Sequence, residues 1–183
     1  MVRLLLFCAM LFQAGSPTAP KPVIDNDRVT VWEVTSASTP QPLDAVVVSF
    51  SGSAAFVHRG TAPKIAGRSL IIELKDHPVA PIANPTSYPL AFPRPGSKKL
   101  LENERVVVWD YTWELGVPAP MHFHDKDVVV WLLEDGDLKS TTPDGKETVI
   151  QYTSGTITFN QRGRTHFETL VRGKQHAIIT ELK

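Results

Sequence analysis

A chain of 183 residues can build one or two small domains around a real core. Its 19 lysines and arginines balance 19 aspartates and glutamates, so no net charge draws it to nucleic acid or an anionic membrane. No basic run, zinc-finger spacing or phosphate-cradling glycine loop is present, and 15 prolines with 11 glycines among Val- and Thr-rich runs favour short strands and turns over long helices.

The chain opens with Arg3, an apolar run ending at Phe12, and then small residues through Ala19. This is the pattern of a secretory signal over residues 1–19, and it predicts an exported protein, periplasmic or secreted. The run is too short to span a bilayer comfortably, so no stable membrane span is expected after processing. A buried N-terminal strand is the alternative reading. Cys8, the only cysteine, lies inside the run. A processed chain would have none, which excludes disulfides and thiol catalysis.

Beyond the leader the chain repeats itself. Asn26-Asp-Arg28-Val29-Thr-Val31-Trp32-Glu33 matches Asn103-Glu-Arg105-Val106-Val-Val108-Trp109-Asp110. Phe56-Val-His58-Arg59-Gly60 matches Phe159-Asn-Gln161-Arg162-Gly163, and Ile71-Ile-Glu-Leu-Lys75 echoes Ile178-Ile-Thr-Glu-Leu-Lys183. Three matches in the same order predict a duplicated module, with a first copy over 20–76 and a second over 98–183. The offset grows from 77 to 103 residues between the first two landmarks, so the first copy is shorter there by about 26. Between the copies, residues 77–97 hold six prolines, which forbid helix and central strand. They read as a stiff, extended linker, whose Tyr88 and Phe92 should pack it onto one module.

The second copy reads as successive strands. Residues 105–114 alternate, with Trp109, Tyr111 and Trp113 on one face. Residues 119–124 carry two histidines, and 128–133 form a continuous apolar strand buried on both sides. Residues 138–142 and 147–152 flank an Asp144-Gly145 turn as a hairpin. Strands at 156–159, 166–171 and 176–182 complete an all-β set, a sandwich or barrel.

The chemistry lies in Gly116-Val-Pro-Ala-Pro-Met-His122-Phe-His124 and in Gly155-Thr-Ile-Thr-Phe-Asn-Gln161-Arg-Gly163-Arg-Thr-His166. On a strand, His122 and His124 leave the same face. Neutral imidazole is the commonest metal ligand, and a third from a neighbouring strand completes a facial set. The unremarkable alternative is three satisfied polar side chains in a barrel that binds no metal. His58, His77 and His176 read as ordinary polar residues.

This spacing resembles the cupin superfamily, RmlC-like double-stranded β-helix (jelly-roll) barrels. In its first motif Gly116, His122, His124 and Gly136 are in register, and Val129 stands at the Glu position. In its second motif Gly155, Gly163 and His166 match, with Gln161 in place of Pro and Leu170 in place of Asn. The resemblance covers roughly residues 100–183 and implies a tandem bicupin whose first copy is degenerate and without metal ligands. It implies a divalent ion (Fe, Mn, Ni, Cu or Zn) on His122, His124 and His166. Glu168 shares the face of His166 and is a substitute ligand, an acceptor for an imidazole N–H, or simply solvated. Asp127 is an alternative ligand if the register slips.

Trp131, Leu133, Val129, Phe123, Phe159 and Phe167 are candidates for the pocket wall. Those facing inward would make it apolar, suited to a small aromatic or carbonyl compound. Gln161 is placed near the mouth to hydrogen-bond substrate. Three functions follow: a dioxygenase-like metalloenzyme, a non-catalytic metal or small-ligand binder, and a structural barrel. The expected partner is a small-molecule ligand or substrate, and the chain is expected to be a monomer or homodimer.

Overall fold

The computed structural model describes residues 21–36 and 39–183, so the expected leader lies outside the described residues. The strands are β1 (Ile24–Asp25), β2 (Val29–Val34), β3 (Ala45–Ser49), β4 (Ala54–Val57), β5 (Ser69–Leu74), β6 (Lys98–Glu102), β7 (Val106–Trp113), β8 (His122–Phe123), β9 (Asp127–Leu132), β10 (Gly136–Thr141), β11 (Glu147–Tyr152), β12 (Ile157–Asn160), β13 (Thr165–Gly173) and β14 (Gln175–Leu182). They form three sheets, ordered β1-β2-β5-β3-β4, β12-β9-β14-β7-β6 and β11-β10-β13-β8. No helix among the described residues is long and apolar enough to cross a membrane.

From β7 to β14 the chain winds between the last two sheets, alternating except at the β10–β11 hairpin, which stays in one sheet. The result is a double-stranded β-helix, or jelly roll, with the two sheets facing each other. Strand β7 shows why. Its odd positions Val107, Trp109, Tyr111 and Trp113 join Leu138 and Leu170 of the opposite sheet in the barrel core. Its even positions Val106 and Val108 are buried on the outer face instead. A sheet covered on both faces needs no polar alternation, which accounts for the unbroken apolar run of β9.

What covers the outer face is the N-terminal sheet. Val29, Val31, Val46, Val48, Leu70 and Ile72 share one core with Val106, Val108, Val129, Trp131 and Ile178. The repeat seen in the sequence reappears here strand by strand, because β1-β2-β5-β3-β4 has the order of β6-β7-β14-β9-β12. Val29 pairs with Leu74 and Trp32 with Ile71, as Val106 pairs with Leu182 and Trp109 with Ile179. Trp32 Nε1 donates to Glu73 at 3.0 Å, and Trp109 Nε1 to Glu181 at 2.8 Å. Asn26 and Asn103 each accept backbone N–H bonds from the residues two and three ahead.

The copies also grip each other reciprocally. Arg28 pairs with Asp127 and donates to the Lys183 carbonyl. Arg105 pairs with Asp44 at 3.5 Å and donates to the Lys75 carbonyl at 3.0 Å. The first copy is thus a single sheet laid against its counterpart and not a second barrel. Among the described residues it has nothing equivalent to β8, β10, β11 and β13, the strands that close the barrel.

The proline-rich segment between the copies is a strap. It meets β8 through a parallel bridge between Leu90 and Phe123, with Ala91 N–H donating to the Phe123 carbonyl at 2.9 Å and Phe123 N–H to that of Pro89 at 2.8 Å. Further along, Ala91 and Phe92 enter the barrel core.

Candidate metal centre

The three histidines meet because β8 and β13 are antiparallel neighbours, with His122 directly opposite His166 and Phe123 opposite Thr165. His124 follows two residues on. Its N–H donates to the Arg164 carbonyl at 2.9 Å, and its carbonyl accepts from Gly163 N–H at 2.8 Å. That reversal needs a left-handed backbone at Gly163, where φ is +88°, which explains the glycine. His124 Nε2 lies 3.2 Å from His122 Nε2 and 3.0 Å from His166 Nε2. The three rings are buried, 1%, 6% and 7% exposed, and form a group that could hold a metal ion.

The outer nitrogens set the inner ones. His122 Nδ1–H donates to the Pro120 carbonyl at 2.8 Å, so its Nε2 is a lone pair in the neutral ring. His166 Nδ1 is held by the Ser140 hydroxyl at 3.0 Å. Burial is the main reason that the imidazoles resist protonation: His122 is pushed down to about 4, His166 is lowered, and His124 is well below the ordinary range. The rings are therefore neutral near pH 7. A single Nε2–H on His124 can serve only one of its two neighbours, and its Nδ1 is buried with no partner. Protons alone leave this triangle unsatisfied. Ligand nitrogens at the usual metal distance lie about 2.9–3.4 Å apart, the separation seen here. The donor set fits a divalent ion.

Beside the triad is a cavity of about 130 Å³, lined on one side by Val128, Val130, Leu132 and Ile179 and on the other by Leu138, Ser140, Tyr152, His166 and Glu168. Glu168 is where the sequence placed it, on the face of His166, with a side chain 20% exposed. Its Oε1 is 3.8 Å from His166 Nε2, too far for a hydrogen bond, and it stands outside the close ligand group. Burial opposes ionisation of Glu168, but Arg94, His166, His122 and Arg164 outweigh it and hold the carboxyl down at about 2.

Several expectations are corrected. Val129, Trp131, Leu133 and Phe159 lie on the outer face of their sheet, against the N-terminal copy. Phe123 is buried under the strap, and Phe167 is not part of the cavity lining. The inward residues of β9 are Val128, Val130 and Leu132, one position away. Neither Val128 nor Val129 supplies a carboxylate. Asp127 faces Arg28 and the Arg162 N–H, away from the triad. Gln161 is exposed and lines a separate groove with Asn26, Arg28 and Arg162, not the histidine cavity. The sequence reading missed Arg94, Arg164, Ser140 and Tyr152, which reach the cavity from the strap and from separate strands or turns.

The fold and the histidine pocket together define a cupin-type barrel. No family model matches the chain, and no curated protein matches it. Among solved structures it is similar to a cupin domain from Bordetella pertussis Tohama I at 27% identity, covering 51% of this chain and 99% of that one, with a TM-score of 0.44. It is also similar to a cupin 2 conserved barrel domain protein from Leptotrichia buccalis, at 13% identity over 92% of this chain and 91% of that one, TM-score 0.48. An RmlC-like cupin family protein from Methanocaldococcus jannaschii aligns at 14% identity over 59% of this chain and 92% of that one, TM-score 0.41.

Proposed function

We propose that the protein is a metal-dependent, small-molecule-binding barrel whose divalent ion rests on Nε2 of His122, His124 and His166. One observation carries this reading: three buried, neutral imidazoles turn their Nε2 atoms on one another at 3.0 and 3.2 Å, and protons shared among the rings can fill only one of those two contacts. The ion would supply Lewis acidity or, if iron, manganese or copper, redox chemistry of the dioxygenase type. The protein's own contribution is a shaped cavity, with Ser140 and the Pro120 carbonyl orienting two of the rings. Glu168, the one carboxylate among the described residues that line the cavity, is ionised near pH 7, and with its carboxyl held down at about 2 it serves there as a fixed negative charge more than as a base.

A second reading, binding without turnover, draws support from the absence of a carboxylate among the close ligands and from the contact of Glu168 with Arg94 at 3.4 Å. Substrate-dependent O₂ uptake by the iron-loaded protein separates the two. We also propose export, on the apolar run behind Arg3; N-terminal sequencing of the native protein tests it.

Metal content by mass spectrometry on untagged protein, beside His122→Ala, tests the centre itself. Near-stoichiometric metal in the wild type and at least a tenfold loss in the variant are expected. No metal in either, even after incubation with Fe(II), Mn, Ni, Cu and Zn, overturns the proposal.

A further inference from the structure

Arg94 enters the barrel from the proline-rich strap, and the histidine mechanism has no need of it. Its side chain is only 6% exposed. The guanidinium carbon sits 3.9 Å from the Tyr111 ring centroid, 4.7 Å from Phe92 and 5.4 Å from Trp113. Aromatic faces stabilise a cation without consuming its hydrogen bonds. The polar contacts it does make are long: 3.4 Å to Glu168 and 3.5 Å to His122 Nε2, and its buried Nε has no partner at all. A caged guanidinium this deep and this poorly satisfied is costly unless something completes it.

The same cavity holds a second guanidinium. Arg164 spends its Nε on the Gln161 carbonyl at 3.0 Å, and no acceptor among the described residues takes its terminal nitrogens. Two guanidinium groups therefore face one carboxylate, Glu168, among neutral imidazoles, and the cavity carries one unpaired positive charge. A divalent ion on the triad would add two more. One wall, Val128, Val130, Leu132 and Ile179, offers an anion's tail an apolar surface, while Ser140, Tyr152, Thr158 and Asn160 add polar groups elsewhere in the lining.

We infer that the cavity beside the triad binds a small monocarboxylate with a short apolar tail, its carboxylate received by Arg94 and Arg164 and its tail by the β9 and β14 face. Guanidinium forks match a carboxylate's geometry, and a dianion would also meet Glu168. The volume of about 130 Å³ suits an acid of a few carbons or a single ring. This deepens the metal-centre reading and draws its full strength from it, since the ion would raise the cavity's positive charge.

The test is calorimetric titration of the full chain, metal-loaded and metal-free, with butanoate, hexanoate and benzoate and with the corresponding neutral amides. Metal content is measured on the same samples. The acids are expected to bind at least tenfold more tightly than the amides. Arg94→Gln and Arg164→Gln should each weaken acid binding at least tenfold with metal stoichiometry unchanged. Glu168→Gln should tighten it several-fold by removing the competing anion, an effect that a purely structural Arg94–Glu168 contact would not produce. Equal binding of acids and amides, or wild-type acid binding by both arginine variants, overturns the inference. Should Arg94→Gln fail to fold, the Arg164 and Glu168 variants still decide. Acid binding without metal loading sinks the metal reading and leaves the carboxylate site standing; metal loading without acid binding does the reverse.

Discussion

His122 and His166 each have one nitrogen held by a protein group and one turned to the neighbouring rings, and acid acts on both. In an unfolded chain a histidine takes its proton near pH 6.5. In the fold, burial delays His122 until about 4. Between those values the unfolded state binds more protons, so stability present above about pH 6.5 is lost as the pH falls toward 4. For His122 this amounts to roughly 3 kcal/mol. The metal-free protein should melt at progressively lower temperature from pH 7 to 4.5, and His122→Asn should flatten the slope; parallel curves for the two proteins would refute it. The three histidines were legible in the sequence because a metal site of this kind would fix residue type and spacing together. Arg94 was not, because it stands in a proline-rich stretch whose path into the barrel is set by pairing with Phe123, a contact no local pattern announces.

At the scale of strands, the two copies are equivalent in pairing but not in burial. The Arg28 and Asp127 side chains are 10% and 9% exposed, whereas those of Arg105 and Asp44 are each 21% exposed. Removing one partner of a buried pair strands the other's charge, which costs about 3–5 kcal/mol, while a wetter pair is worth about 1 kcal/mol or less. Arg28→Ala should therefore lower the urea midpoint far more than Arg105→Ala; equal shifts would show that the pseudo-symmetry extends to energetics. The repeat itself was readable because its landmarks fall on β2, β5 and β14, on β7, and where β4 and β12 run out into their turns, all parts of the matching sheets. That only one sheet is repeated was harder to see, since short loops leave no motif in place of missing strands. The cavity wall was misjudged by one position for a related reason. Strand β9 is apolar on both faces, so nothing in Val128-Val129-Val130-Trp131 marks which side looks inward.

Over the whole molecule, three stacked sheets make the outer barrel face an interior. Trp131 is 1% exposed, and its ring meets Phe50 edge-on at 5.3 Å. Val48→Asp places an unpaired charge in that layer and should destabilise the protein by at least 3 kcal/mol. Tryptophan emission should shift to the red, and the uncovered face should self-associate as concentration rises. A variant that stays monomeric with unchanged emission would mean that the layer is not needed to shield the barrel.

The reciprocal grip of Arg28 and Arg105 joins a complete barrel to a partner that, among the described residues, brings no second histidine pocket. Two whole barrels meeting this way would set two sites across one interface, free to influence each other. Here the second site's strands are missing among the described residues. Among the described residues the histidine cavity has no counterpart across that seam, so its saturation within one chain is expected to be hyperbolic.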